Sequence, residues 1–302
     1  MANQPAHLYG GQAVIEGVMI RGRDFFSLAV RRDDGSIEDL QERLSPIYNG
    51  RLRRLPLVRG VLTLIETLVI GIKALQISAD LAATSPSEKK AGADGIPKWM
   101  MGITLAFALV FGIALFFLLP LGVVRALEPF IGSGLVSEAV EGALRLAILV
   151  GYVAAIGTMR DIRRVYAYHG AEHMTVHAYE AGLPLNVGNV RKFGTPHPRC
   201  GTAFLLTVVV VSVAVFIAFA LVESSWWWRI ASRILLLPAI AAVSYEVIRF
   251  SGRHQAAVIG KILATPGLWL QRLTTREPDD AQIEVAIRAM ETAVAADSEN
   301  AN

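Results

Sequence analysis

Two long runs of apolar residues dominate the pattern along the chain. Residues 101–124 carry no charge over 24 positions, and residues 203–222 carry none over 20. A helix of about 20 apolar residues crosses the ~30 Å hydrocarbon core of a bilayer, so both runs predict membrane spans. Residues 143–159 and 230–248 are further apolar runs with an arginine near one end. Because such an arginine can reach the membrane interface, these two runs are also predicted to cross.

Residues 56–80 combine apolar positions with a polar stripe. Their charged side chains recur every seven residues, so on a helix they form one line along an otherwise apolar surface. A fifth span here would place charge at its centre. We therefore predict an amphipathic helix at the membrane interface, or packed against the bundle, followed by a linker that ends at residue 98. The stripe consists of Arg59, Glu66, Lys73 and Asp80.

The N-terminal segment has a different pattern, with short runs of strand-forming residues. Residues 14–21 and 26–31 are strand-like, and Asp34-Gly35 supplies a tight turn into residues 36–40. This pattern predicts a small β element ahead of the interfacial helix.

The C-terminal segment has the pattern of cytoplasmic helices. Pro266, in the sequence TPG, predicts a chain break before a short amphipathic stretch at 268–273. Pro278 followed by Asp279 and Asp280 is typical of a helix start, and this helix is predicted to run to about residue 296.

Together these patterns predict a mainly α-helical, polytopic membrane bundle of about four spans. The predicted divisions are 1–55 for a cytoplasmic β element, 56–98 for the interfacial helix and linker, 99–250 for the membrane bundle with a cytoplasmic loop at 160–202, and 251–302 for cytoplasmic helices.

Composition agrees with a membrane protein. Hydrophobic residues make up 53% of the chain and charged residues 18%, against about a quarter charged in an ordinary soluble domain. The net charge of +3 is modest, and no basic stretch interleaved with aromatic residues occurs, so a nucleic-acid partner is not expected. Cys200 is the single cysteine, which excludes an internal disulfide.

The distribution of positive charge predicts the orientation. Residues 125–142 hold one lysine or arginine, residues 160–200 hold six, and residues 1–98 hold thirteen. Because basic loops stay on the cytoplasmic side, we expect a multi-pass protein of the cytoplasmic (inner) membrane with both termini inside. The lipid bilayer is then its first partner.

Half of the six histidines lie in the sequence YHGAEHMTVHAYE, at residues 168–180. On a helix His169 and His173 share one face, as do His173 and His177, and neighbouring imidazoles lie about 6 Å apart along the axis. Such a pair can bind one metal ion. His169 and His177 are about 12 Å apart, so one helix cannot offer all three to one ion.

The segment from His169 to His173 reads H-x-x-E-H, the inverted motif of some zinc proteases. In those sites the glutamate acts as a general base, which assigns that role to Glu172. Glu180 lies roughly 16 Å along the axis from His169, so we expect it to be an accessory or separate group.

Further ligands are predicted in the segment TPHPRCGTAF, residues 195–204. His197 lies between Pro196 and Pro198 on a stiff stretch, and Cys200 would bind as a thiolate. A set of three histidines, or two histidines and one cysteine, is the pattern of a catalytic zinc, and iron(II) also fits it. A structural or proton-handling role for the histidines is the alternative.

Glu246 lies near the cytoplasmic end of the last predicted span. An acidic residue at that depth is costly unless it faces a polar cavity or a partner, so Glu246 is a second catalytic candidate. The competing interpretation is an ion pair with Arg249, three residues later.

Four blocks of the chain resemble the YqhQ-like family of bacterial membrane proteins, for which metal-dependent enzyme activity is inferred. The blocks are GGQAVIEGVMIRG at 10–22, YHGAEHMTVHAYE at 168–180, HPRCGTAF at 197–204 and PGLWLQRLTTREPDDAQIEVAIRAM at 266–290.

The resemblance implies a metal site made from the histidine and cysteine motifs, to which His169, Glu172, His173, His197 and Cys200 correspond. It also makes Gln12, Glu16 and Arg21 possible accessory site residues, although the residues alone favour a plain β element with turn glycines. The TTREP sequence at 274–278 belongs to the same signature, with no chemical role evident from the residues.

These observations lead to two functional hypotheses. The first is a metal-dependent enzyme, a hydrolase that uses metal-activated water on a substrate from the cytoplasmic side, with peptide and lipid-linked substrates both open. The second is a non-enzymatic scaffold or a small transporter, in which the histidines and Glu246 are structural or relay protons.

Overall fold

The computed structural model describes residues 9–45, 55–83, 98–220, 225–254 and 257–299. Most of the predicted linker, residues 84–97, lies outside the described residues. The strands are β1 (Gly10–Val14), β2 (Gly17–Arg21), β3 (Phe25–Arg31) and β4 (Ile37–Arg43). The helices are α1 (Val58–Ala83), α2 (Lys98–Ile113), α3 (Leu119–Ile131), α4 (Leu135–Ile156), α5 (Arg160–Glu180), α6 (Val187–Val190), α7 (Thr202–Ala220), α8 (Trp226–Leu235), α9 (Leu237–Arg253), α10 (Val258–Thr274) and α11 (Asp280–Glu299).

The four strands form one antiparallel sheet in the order β1-β2-β3-β4. The predicted β element is therefore present, but the single strand expected at 14–21 is wrong. Val14 pairs with Gly17 across a tight hairpin, and Glu16 has a positive φ of 52°. The acidic residue that interrupts the apolar run marks this turn, because two adjacent residues leave the ladder there.

Helices cover both faces of the sheet, and the side chains along each strand alternate between the two faces. Met19, Leu28 and Val30 pack with Ile70 and Ala74 of α1. The opposite face packs against α5 and α11, through a core that includes Val18, Ile20, Ala29, Ala171, Ile283 and Met290. Helix α5, which carries the histidines, is thereby fixed against the sheet.

The charged stripe of α1 faces the protein. Glu66 accepts a hydrogen bond from Arg21 of β2 at 2.7 Å, and Lys73 donates to Glu42 of β4 at 2.5 Å. The opposite side of the helix exposes apolar residues, namely Ile65, Leu68, Val69 and Leu75. The amphipathic pattern predicted for this helix is confirmed, and its polar side is directed at the sheet.

Several helices are long and apolar enough to cross a membrane. Within the described residues these are Val58–Ala82, Gly102–Ile131, Leu135–Ile156 and Thr202–Phe219. The pair Trp227–Leu235 and Leu237–Arg253, bent by 48°, can supply a fifth crossing. The bend falls just before Pro238, which has no N–H to donate to the carbonyl of Ile234 four residues earlier. The predicted polytopic helical bundle with a small N-terminal sheet is confirmed.

The first long run, from α2 to α3, contains a π-helical turn at Ala114–Leu118. Pro120 has no N–H, so it cannot donate to the carbonyl of Phe116 four residues earlier. Arg145 Nε of α4 donates to that carbonyl at 2.9 Å. The proline thus leaves the Phe116 carbonyl free to accept a hydrogen bond from the buried Arg145.

Arg145 and Arg233 are the arginines near the ends of the runs 143–159 and 230–248. The prediction that they reach the membrane interface is wrong, because the structure buries both, at 1% and 0% exposure. Arg233 Nη2 donates to Glu138 at 2.9 Å and to Glu141 at 2.7 Å. The carboxylates of α4 compensate the arginine charge inside the bundle, which removes the need to reach water. The whole network comprises Glu128, Glu138, Glu141, Arg145, Arg229 and Arg233.

The C-terminal helices differ from prediction in two respects. No break occurs at Pro266, which lies inside α10, and the neighbouring Gly267 packs directly on Ala203 of α7. The last helix starts at Asp280 rather than at Pro278, because Asp279 caps it: the amide of Gln282 donates to Asp279 at 2.8 Å, and Gln282 Oε1 accepts from the Asp279 amide at 3.1 Å. This reciprocal pair is a capping box.

Candidate metal centre

The candidate centre is built on α5, whose helical spacing places His169, His173 and His177 on one side. His169 contacts the end of α10 and Cys200, whereas His173 and His177 contact the segment 195–201. His173 is buried at 2% exposure. The centroids of the His169 and His173 rings are 4.4 Å apart.

The end of α10 and the residues after it run along α5 as a strap, defined here as Thr274–Arg276. His169 Nδ1 lies 2.9 Å from the carbonyl oxygen of Thr274. The Arg276 amide donates to the Tyr166 carbonyl at 2.9 Å. A Cβ added to Gly170 would lie 2.1 Å from the carbonyl oxygen of Arg276, so only glycine permits this approach. The strap explains the TTREP signature as the anchor of the histidine helix.

The segment 195–201 lies on the other side of the histidines. His173 Nδ1 is 2.5 Å from the carbonyl oxygen of Thr195. The buried side chain of Gln271 fixes the backbone of His197, accepting from its amide at 2.8 Å and donating to its carbonyl at 2.9 Å. These three contacts fix the position of the segment 195–201 relative to α5.

These contacts determine which ring nitrogens are free. A carbonyl oxygen only accepts, so Nδ1 of His169 and of His173 must carry the proton and donate. The lone pair of Nε2 is then available on each ring. His169 Nε2 lies 3.1 Å from Cys200 Sγ. Ligand atoms of His169, His173 and Cys200 lie within 4.8 Å of one another, close enough to hold one metal ion.

A second group lies one turn further along α5. Ligand atoms of His177, Glu180 and His197 also lie within 4.8 Å of one another. The predicted candidates therefore separate into two sets of three. His197 belongs with His177 and Glu180, while Cys200 belongs with His169 and His173.

Burial controls the charge of these groups. Desolvation lowers the pKa of His173 to about 2 and that of His197 to about 4, so both imidazoles are neutral near pH 7. Neutral imidazole is the form that binds metal. Burial raises the pKa of the Cys200 thiol, so an ion has to displace its proton to bind sulfur.

Glu172 lies beside the first group. Its Oε2 is 3.6 Å from His173 Nε2, and desolvation raises its pKa to about 8. The backbone of β1 passes so close that a Cβ on Gly11 would lie 2.8 Å from Glu172 Cγ. This contact places the glycine-rich block at 10–22 against Glu172 of the candidate centre.

A cavity of about 280 Å³ opens between the sheet, α1, α5 and the segment 195–201. Gln12 and Arg21 line it, opposite Glu172, His173, His197 and Cys200. Gln12 fits because Gly71 of α1 has no side chain, since a Cβ there would lie 2.4 Å from Gln12 Oε1. The structure thus brings three of the four accessory candidates to the histidines: Gln12 and Arg21 at this cavity, and Glu180 beside His177 and His197.

Two other candidates lie elsewhere. Glu246 binds Arg59 of α1, with Arg59 Nε donating at 2.7 Å, and is not part of the cavity wall. This ion pair ties α1 to α9, and Arg249 also interacts electrostatically with the Glu246 carboxylate, whereas the catalytic role of Glu246 stays a prediction. Glu16 lies in the β1–β2 turn and accepts from Arg164 at 2.6 Å, which makes it a tie between the sheet and α5.

Sequence reasoning missed the residues that position the ligands. Thr195 and Thr274 act through backbone carbonyls, which any residue type supplies, so their sequence carries no signal. Gln271 and Gly170 did carry a signal in the sequence. A glutamine in a half-apolar helix and a glycine inside a helix are both unfavourable unless a contact requires them.

Comparison with known proteins places the chain in a family. A family model described as "Protein of unknown function (DUF1385)" matches residues 55–296. The Uncharacterized protein YqhQ of Bacillus subtilis (strain 168) is 33% identical over 290 residues, which cover 93% of this chain and 90% of that protein. No solved structure matches the chain. The chain therefore belongs to the family of YqhQ-like proteins that the DUF1385 model describes.

Proposed function

We propose that this protein is a metal-dependent hydrolase of the bacterial cytoplasmic membrane, with zinc held by His169, His173 and Cys200. One observation carries the proposal. The Nδ1–H groups of both histidines are bound by backbone carbonyls, and both Nε2 atoms are left for the point where Cys200 Sγ lies. Metal-binding histidines are typically oriented by a carbonyl or carboxylate in this way.

The donor set fits the ion. Two neutral imidazoles and one thiolate form a three-ligand set of the kind found in catalytic zinc sites, which keep a further position open. Iron(II) is the alternative metal. A divalent ion held there supplies Lewis-acid polarisation and activates water for hydrolysis.

Glu172 is the proposed general base. It lies outside the three-ligand group, borders the cavity and stands beside His173. A cation nearby favours its ionised form, which counteracts the effect of burial on its pKa. The Gly11 backbone hydrogen-bonds the carboxylate.

The substrate enters the cavity from the cytoplasmic side in this proposal. The site is made from residues between the end of α4 and the start of α7, together with the sheet and the strap. Residues 160–200 carry six of the basic residues, which favours the cytoplasmic face for this region and for both termini. Gln12 and Arg21 are positioned to contact polar groups of a substrate.

Cobalt(II) tests the ligand set directly. Full-length protein without an affinity tag, loaded with Co²⁺ in detergent, is expected to show a near-ultraviolet charge-transfer band from the Cys200 thiolate. The Cys200→Ser variant is expected to lose that band, because no other cysteine exists in the chain. A wild-type spectrum without thiolate absorption would remove Cys200 from the proposed site.

Glu172→Gln separates a catalytic ion from a structural one. The amide is close in shape to the carboxyl group but cannot accept a proton, so E172Q is expected to bind metal as wild type does. Loss of a general base costs about 10²–10⁴-fold in rate. We therefore expect E172Q not to complement a deletion strain, whereas Glu284→Gln, on the exposed surface of α11, complements fully. Full complementation by E172Q would favour a structural metal.

A further inference from the structure

The second cluster, defined as His177, Glu180 and His197, has no role in the proposed hydrolysis. His177 and Glu180 are three residues apart on α5 and therefore share a face. His197 reaches them from the facing segment, and its ring centroid is 4.5 Å from that of His177. The ligand atoms of the three residues lie within 4.8 Å of one another.

One nitrogen in this cluster has no partner. His197 Nε2 is buried, and among the described residues it has no hydrogen-bond partner. Glu180 Oε2 lies 3.7 Å away, beyond hydrogen-bond distance. Burying a polar atom without a hydrogen-bond partner costs free energy. Because His197 Nε2 lies near a carboxylate, a cation bound between the two would supply the missing partner.

The cluster is also held in place. The backbone of His197 is fixed on both sides by Gln271. His177 Nε2 lies 2.9 Å from the carbonyl oxygen of Pro196, to which it must donate, so its Nδ1 keeps a lone pair. This orientation of a histidine by a carbonyl repeats the arrangement found at His169 and His173.

Two contacts oppose binding and set its strength. Arg199 forms an ion pair with the other oxygen of Glu180, which places a positive charge next to the cluster. The Arg199 amide donates to His197 Nδ1 over a long 3.3 Å, and this contact is lost when a cation takes Nε2 and the ring proton moves to Nδ1. A cation here is therefore bound more weakly than one at His169, His173 and Cys200.

The two sets of ligands adjoin each other. The His173 and His197 ring centroids are 5.5 Å apart, so the four histidine rings form one row from His169 to His177. His173 and His197 also line the same cavity. Hydrolases with two ions about 3.5–4 Å apart use both to stabilise the attacking and leaving oxygens.

We propose that His177, Glu180 and His197 bind a second divalent cation, which makes the centre a two-cation site. The inference rests on the proposed function, because it adds a cation to the site made by His169, His173 and Cys200. The second cation binds at least about tenfold more weakly than the first, a difference typical of altered ligand surroundings.

The test is a count of Co²⁺ bound to apo full-length protein without an affinity tag, in detergent, with the thiolate band recorded in parallel. Wild type is expected to bind two ions in two steps, of which only the tighter produces the thiolate band. His177→Gln and Glu180→Gln are each expected to bind one ion and to keep the band. His254→Gln, which removes an exposed histidine, serves as the matched control and is expected to bind two.

The outcomes separate the two proposals. If wild type binds one ion, and H177Q and E180Q bind it equally well, the second site is overturned and the proposed function stands. A wild-type count of two that both variants retain also overturns the second site, because the extra ion then lies elsewhere. A wild type that binds none overturns both proposals. Melting curves of the two variants, compared with H254Q, show that a lost ion does not reflect unfolding.

Discussion

Replacement of Gly170 by alanine is expected to destabilise the protein severely and to disturb the metal centre. The added Cβ would lie 2.1 Å from the Arg276 carbonyl oxygen and 3.1 Å from Thr195 Cγ2. The first neighbour is backbone, which cannot rotate away, so α5 and the strap have to separate. Overpacking of this kind costs about 3 kcal/mol.

The damage from Gly170→Ala reaches the ligands because the strap carries two contacts. Separation breaks the hydrogen bond from the Arg276 amide to the Tyr166 carbonyl and the hydrogen bond from His169 Nδ1 to the Thr274 carbonyl. The measurement is thermal unfolding in detergent, together with metal content. Gly151→Ala in α4 is the matched control: no atom lies near its added Cβ, and alanine is the better helix former, so no loss of stability is expected. Equal melting temperatures for G170A and wild type would contradict the close contact.

Replacement of Arg233 by leucine is the second change with a large expected effect. Arg233 is fully buried, binds Glu138 and Glu141, and its guanidinium lies 4.3 Å from the centroid of the Phe216 ring. Its removal leaves an excess negative charge between helices. Breaking a buried ion pair by removing one partner costs about 3–5 kcal/mol.

Two further variants test the cause of the Arg233→Leu effect. Arg125→Gln removes an arginine whose side chain is 59% exposed, and an exposed pair contributes at most about 1 kcal/mol. Glu141→Gln combined with Arg233→Leu restores the charge balance and is expected to recover part of the lost stability. Chemical unfolding in detergent measures all three. If R233L and R125Q unfold alike, charge compensation inside the bundle is not what stabilises it.

The features predicted well from sequence are those that depend on local pattern. The spacing of His169, His173 and His177 defined α5, and the recurrence of Glu66 and Lys73 defined the polar side of α1. In both cases the helical period alone decides which residues share a face, so no tertiary information is needed. The start of α11 is predicted only approximately, since the helix begins at Asp280 and not at Pro278.

The features that sequence did not predict depend on which segments meet. Arg233 has the sequence pattern of a residue near a span end, because its partners Glu138 and Glu141 meet it only when α4 and α8 pack. Arg145 did have a partner visible in sequence, since Glu141 lies four residues earlier on the same helix. The partner of Glu246 is also distant in sequence, since Arg59 lies 187 positions away. Buried charge signals a need for compensation but does not identify the compensating residue.

The candidate site falls between these two cases. Sequence placed His169 and His173 together and named the segment around His197 and Cys200 as the source of further ligands. It left open which of the latter two completes the set. The choice depends on the path of residues 195–201 across α5, which Gln271 and the strap determine, and the structure places Cys200 against His169.

The central claim is that His169 and His173 hold a metal ion, and the metal content of purified protein tests it most directly. Full-length protein without an affinity tag is purified in detergent as wild type, His169→Ala, His173→Ala and His254→Ala, and zinc and iron are counted per chain. The account predicts a stoichiometric ion in wild type and in H254A, and the loss of that ion in both H169A and H173A. Wild-type protein free of metal, or an ion that both substitutions leave in place, would contradict it.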